Sequence, residues 1–152
     1  MVKCFSGRNF VVKKLLSSLL LAFFSVTLIA CQSHNEEMTL LDNVSSILIS
    51  KSNGYGGLNE NYFLSINQEE TISGFEEVLK NAKGIGQEME VTNEKPDYDI
   101  LIRYENRETH GLHLLFGNTW EESVIMYIGH EKNGYIVSPE DASELRKLLG
   151  AH

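Results

Sequence analysis

The stretch Tyr98-Asp99-Ile100-Leu101-Ile102-Arg103-Tyr104-Glu105, continued by Gly111–Gly117 (GLHLLFG) and Ser123–Gly129 (SVIMYIG), decides the fold. The three runs are rich in β-branched, aromatic and leucine side chains, and the connections between them are short and polar. That pattern predicts an antiparallel meander. Setting Arg103 opposite His113, and His113 opposite Tyr127, divides all three strands in the same way. One face carries Tyr98, Ile100, Ile102, Tyr104, Leu112, Leu114, Phe116, Val124, Met126 and Ile128 and is the predicted core face. The other is mixed, with an apolar row of Leu101, Leu115 and Ile125 beside a polar row of Arg103, His113 and Tyr127. These six residues form the candidate partner surface, which either packs against the N-terminal hairpin or stays open.

Toward the C-terminus, Lys132-Asn133-Gly134-Tyr135 has the Asn-Gly pair of a type I′ hairpin turn, and Tyr135 to Ser138 follows as a short strand. Ser138-Pro139-Glu140-Asp141 then opens a helix, with a capping serine, proline at the first helical position and acids in the first turn. Ala142, Leu145, Leu148 and Leu149 are its buried stripe and Gly150 its stop. Toward the N-terminus, Val44–Lys51 and Glu60–Ile66 read as two strands flanking the turn-rich Ser52-Asn53-Gly54-Tyr55-Gly56-Gly57. Asn67 and Glu70 have capping-box spacing ahead of Ile72, Phe75, Val78, Leu79 and Ala82, which fall on one helical face, and Gly84 ends that helix. Gly86–Thr92 is a short strand candidate with Met89 and Val91 inward. The expected order is β-β-α-(β)-β-β-β-β-α over residues 44–150: an α+β domain with an antiparallel sheet of five to six strands and two helices on one face.

The N-terminal third reads differently. Lys3, Arg8, Lys13 and Lys14 precede an apolar run, Leu15 to Ala30, that is shorter than a membrane span and suits a cleaved signal segment. It closes on Leu28-Ile29-Ala30-Cys31, which resembles the lipobox of bacterial lipoproteins. The resemblance implies cleavage between Ala30 and Cys31, lipid on the Cys31 thiol, and attachment to the outer side of the cytoplasmic membrane by acyl chains whose methylenes each contribute about 0.8 kcal/mol. Residues 1–30 are then a signal peptide and 31–43 a lipidated tether, whose end around Met38 to Leu41 is a candidate for docking on the domain. All 21 acidic residues follow Cys31 while four of the 13 basic ones precede it, which leaves residues 31–152 with a net charge of −12. So acidic a surface opposes nucleic acid, which needs a basic patch. With Cys31 lipidated no thiol remains for disulfides, nucleophilic catalysis or thiolate metal sites.

The lipobox, the Pro96-Asp-Tyr-Asp-Ile-Leu-Ile102 strand opening, the Gly111-Leu-His-Leu-Leu-Phe116 strand, the Tyr135-Ile-Val-Ser138 strand end and the terminal Leu145-x-x-Leu148-Leu149 helix together resemble the YhfM-like domain of small Bacillus-type lipoproteins. The resemblance runs from Val44 to Leu149 and implies architecture and location; that family supplies no catalytic residue to transfer.

Chemical signatures are sparse. The Gly54–Gly57 run lacks the Gly-Lys-Ser/Thr of a phosphate cradle. His110 and His113 would point to opposite faces of a strand, so no metal or cofactor is expected. No Gly-x-Ser-x-Gly elbow is present, and Trp120 reads as a turn residue folded over the sheet edge. Two functions follow: a non-catalytic binding or regulatory module with an envelope protein or cell-wall partner, or a small envelope hydrolase or its accessory. A closed pocket holding His113 with a carboxylate would favour the hydrolase, and a flat face around Leu101, Leu115 and Ile125 the module.

Overall fold

The computed structural model describes residues 38–40, 43–89 and 95–150. The predicted signal segment 1–30, Cys31, the tether as far as Glu37, His34, Val91, Thr92 and His152 lie outside the described residues. In chain order the elements are β1 (Val44–Lys51), β2 (Leu64–Ile66), α1 (Glu69–Asn81), β3 (Lys83–Gly84), β4 (Tyr98–Tyr104), β5 (Thr109–Leu115), β6 (Ser123–Tyr127), β7 (Gly134–Val137) and α2 (Pro139–Leu149). The strands make one antiparallel sheet in the order β2-β1-β4-β5-β6-β7-β3. Among the described residues the α+β class and the two helices agree with the sequence pattern, but the sheet has seven strands rather than five or six.

The helices differ in how they are capped. At α2, Ser138 Oγ accepts from the Asp141 N–H, Pro139 starts the helix, and Gly150 closes it in left-handed geometry at φ 61°, as the sequence predicts. At α1 the N-cap is Gln68, with no side-chain cap bond, and Asn67 instead reaches Ser65 Oγ at 3.4 Å. The helix ends at Asn81 with Ala82 extended, so Gly84 is no helix stop but a residue of β3, paired with Tyr135. An extended exit needs no left-handed glycine, and burial of Ala82 in the core fixes the exit direction. The Asn133-Gly134 turn is also corrected: positive φ falls at Gly129 (88°), and Gly134 opens β7. There a Cβ would lie 2.1 Å from Met89 Sδ and 2.8 Å from Ile85 Cδ1, so glycine at this position makes room for those two side chains rather than for a turn.

The core lies between helices and sheet, where Ile47, Ile49, Ile100, Ile102, Leu112, Leu114 and Ile125 meet Phe75, Leu79 and Leu145. Each such side chain contributes about 1.5–3 kcal/mol on full burial. Met38 belongs to this core and Leu40 packs against it, while Thr39 O accepts from Tyr127 Oη at 2.5 Å. Packing therefore begins inside the segment read as tether.

The strand register differs from the expected one. Asp99 lies opposite His113, Arg103 opposite Thr109, and His113 opposite Met126. The β4–β5 shift is even and leaves faces unchanged. On β6 the shift is one residue, which exchanges its two faces: Ile125 pairs with Leu114 and Tyr127 with Leu112 on the helix side. Val124 and Met126 go to the other face. In Ser-Val-Ile-Met-Tyr-Ile the two polar residues, Ser123 and Tyr127, share a phase with Ile125 on the helix side, so alternation marked the wrong face as outward.

Candidate functional site

On the sheet face away from the helices, neighbouring strands bring together Ser50 of β1, Asp99 of β4, His113 of β5 and Met126 of β6, all buried. Their cover is the β1–β2 connection, residues 52–63. Asp99 Oδ2 accepts from the Asn59 N–H at 2.8 Å, Ser50 Oγ donates to Asn59 O at 2.5 Å, and Asn59 Nδ2 donates to Lys51 O at 2.7 Å. The Ser52 N–H donates to Asp97 O at 3.1 Å. Tyr55 meets the His113 ring edge-on, centroids 5.6 Å apart at 85°. The glycine-rich segment is thus fastened down over His113 rather than left as a free hairpin tip.

His113 Nδ1 and Asp99 Oδ1 are 2.8 Å apart, both side chains fully buried. The carboxylate accepts, so Nδ1 carries a proton. Nε2 has no hydrogen-bond partner among the described residues, and Glu131 Oε1 stands 3.8 Å from it. The Gly129 N–H donates to that oxygen at 2.8 Å; this bond, more than the nearby histidines, holds the Glu131 carboxyl below its ordinary range against the opposing effect of burial. The charged group facing Nε2 is therefore another carboxylate, and among the described residues no hydroxyl is hydrogen-bonded to that nitrogen. Among the described residues no three His, Cys, Asp or Glu converge to hold a metal ion.

The six residues of the predicted partner surface are not brought together. Leu101 and Leu115 are half-buried and Arg103 exposed on the non-helix face, where His113 is closed off. Ile125 and Tyr127 lie on the opposite side, against the helices and the Met38–Leu40 segment. Burial, then the adjacent Tyr135 and Tyr104, pushes the Tyr127 hydroxyl up to about 12. His110 takes part in the same aromatic row, its Nδ1 3.0 Å from Tyr104 Oη. Asp99 was missed as the partner of His113, because that pairing exists only in the actual β4–β5 register.

A second surface was not foreseen. Trp120, expected to fold over the sheet edge, is 79 % exposed, at a left-handed φ of 73°. Its turn is braced from within, since the Asn118 N–H and Nδ2 donate to Glu121 Oε2 at 3.0 and 2.9 Å. It is braced from α2 as well, where the Arg146 guanidinium donates to Gly117 O and lies 4.3 Å over the Phe116 ring. The indole stands at the rim of a groove of about 960 Å³ between α1 and α2, lined by Glu77, Glu140, Asp141 and Glu144 with Val78, Pro139 and Lys147.

No protein-family model matches the chain, and no curated protein matches it. Among solved structures it is similar to a thioesterase-like protein from Clostridium sporogenes, with a TM-score of 0.56 and 21 % sequence identity, over 72 % of this chain and 97 % of that one. At that identity the likeness speaks for a shared α+β fold alone.

Proposed function

We propose that this chain is a bacterial lipoprotein, anchored through lipid on Cys31 to the outer side of the cytoplasmic membrane. Its single YhfM-like domain acts there as a non-catalytic binding or regulatory module for an envelope protein or cell-wall partner. The Leu28–Cys31 signature supports the location. Since Met38 is already built into the core seven residues beyond Cys31, the lipid would hold the domain within roughly 25 Å of the bilayer. The observation that carries the binding role is the use made of His113: its one free nitrogen is buried, faces Glu131, and lies under the loop that Asp99 pins. That arrangement serves packing and loop closure, not turnover.

Mass analysis of the protein from native membranes should find a lipidated Cys31 as the first residue, and Cys31→Ser should release the domain from the membrane fraction. An unmodified Met1 terminus in the cytosol would refute the anchor. Purified protein should turn over neither ester, thioester nor cell-wall model substrates.

A second reading, a small envelope hydrolase, rests on the Asp99–His113 pair, since a carboxylate-oriented imidazole is half of a nucleophile-activating system, and on the fold shared with a thioesterase-like protein. Turnover abolished by His113→Gln would put this reading first.

A further inference from the structure

We propose that the groove between α1 and α2, with Trp120 at its rim, docks a lysine- or arginine-bearing segment of a protein partner. This names the partner chemistry of the binding module and rests on that reading.

The indole is the most exposed large apolar side chain among the described residues, ahead of Phe63 (79 % against 54 %). The backbone turn that presents it is also braced. A tryptophan at positive φ persists only where its surroundings over-determine it, and here the Asn118–Glu121 bonds and the Arg146 brace do so. A turn braced before contact loses little backbone freedom on docking, and exposed aromatic anchors dominate interface energetics.

Charge selects the occupant. The Asp141 carboxylate accepts from Ser138 Oγ at 2.9 Å and from Asn81 Nδ2 at 3.5 Å, and Glu144 pairs with Lys147 at 3.0 Å. Glu77 and Glu140 have no ion-pair partner among the described residues. Two unpaired carboxylates beside an accessible indole face suit a cationic side chain, which the acids attract and the ring quadrupole holds. The net charge of −12 on residues 31–152 adds a long-range attraction for basic segments and a repulsion from anionic headgroups. A basic peptide is thus favoured over insertion of the indole into the bilayer.

Trp120 is the only tryptophan in the chain, so its fluorescence reports on the groove directly. The intact lipoprotein in neutral detergent is titrated with a mixed Lys/Arg decapeptide, and with a Glu decapeptide as control. The basic peptide should change the emission saturably, the acidic one should not, and high salt should abolish the effect. Glu77→Gln and Glu140→Gln should each weaken binding about two- to fivefold. Glu108→Gln, exposed and outside the groove, should leave it unchanged. Trp120→Ala, followed by calorimetry, should cost on the order of tenfold or more, with an unaltered circular dichroism spectrum because the side chain is in water. The proposal is overturned by an absent or unsaturable response, or by equal weakening from Glu108→Gln, which would mean diffuse charge attraction. It is also overturned by a blue shift on transfer to phosphatidylglycerol vesicles without peptide, which would assign the indole to the bilayer. None of these outcomes bears on the lipid at Cys31 or on turnover, which are measured separately.

Discussion

Replacing Asp99 with alanine tests the account of the loop-covered site most directly. The substitution removes two contacts of 2.8 Å, one to His113 Nδ1 and one to the Asn59 N–H. Hydrogen bonds to a charged group contribute about 1.5–3 kcal/mol each. Asn59 is only half-buried, so its N–H regains water and much of that contribution is recovered. The His113 N–H is fully buried and stays orphaned. The expected loss is therefore about 2–4 kcal/mol, a large part of the stability of a domain this size. Urea unfolding should be followed by far-UV circular dichroism, because Trp120 is 79 % exposed in the folded state and reports weakly on unfolding; the midpoint should fall with little change in slope. Asp99→Asn should be milder, about 1 kcal/mol. Its oxygen still serves Asn59, and its amide can donate to Nδ1 once the ring proton moves to Nε2, toward Glu131 at 3.8 Å. In the His113→Leu background, Asp99→Ala should cost about 1–3 kcal/mol less than in the wild type. An Asp99→Ala variant within about 0.5 kcal/mol of wild type, or equally costly in both backgrounds, would show that the pair does not hold the loop.

Other consequences follow from local geometry. A Cβ at Gly117 would lie 2.3 Å from Glu122 O, a backbone atom that cannot swing away; Gly117→Ala should cost about 1–3 kcal/mol in chemical denaturation and loosen the turn that presents Trp120. Ser138→Ala removes the α2 cap bond from the Asp141 N–H and should cost about 1 kcal/mol in the same assay. The Tyr127 hydroxyl is pushed up to about 12 in the fold, against about 10 in an unfolded chain. Between those values the folded state keeps a proton that the unfolded state has lost, so this contribution to stability is complete below pH 10 and declines as pH rises toward 12. Absorbance of phenolate should show a late step among the six tyrosines, and Tyr127→Phe should remove it.

The parts of the fold legible in the chain were those written in local chemistry. Ser138, Pro139 and Gly150 define α2 because each acts on its own backbone, and the alternation of Tyr98–Tyr104 marks its core face because polar residues interrupt it. The α1 boundaries were read less well: Asn67 and Gly84 match a capping pattern, yet the N-cap is Gln68, without a side-chain cap bond, and the exit is an extended Ala82. β3 was displaced because a two-residue strand carries no periodic signal and exists only by pairing with β7. The candidate site suffered most. Arg103, His113, Tyr127, Leu101, Leu115 and Ile125 shared a face only under a register that β6 does not adopt.

By itself the sequence determined the class, the two helices, the acidic surface and the signature around Cys31, since propensity, capping and composition act over a few residues. Tertiary structure alone decided which side of the sheet each β6 residue takes, that Asp99 meets His113 beneath the glycine-rich loop, and that Trp120 stands free. Those outcomes depend on how strands slide past one another and what then covers them. A slide of one residue reverses every side chain on a strand while changing nothing in its local pattern.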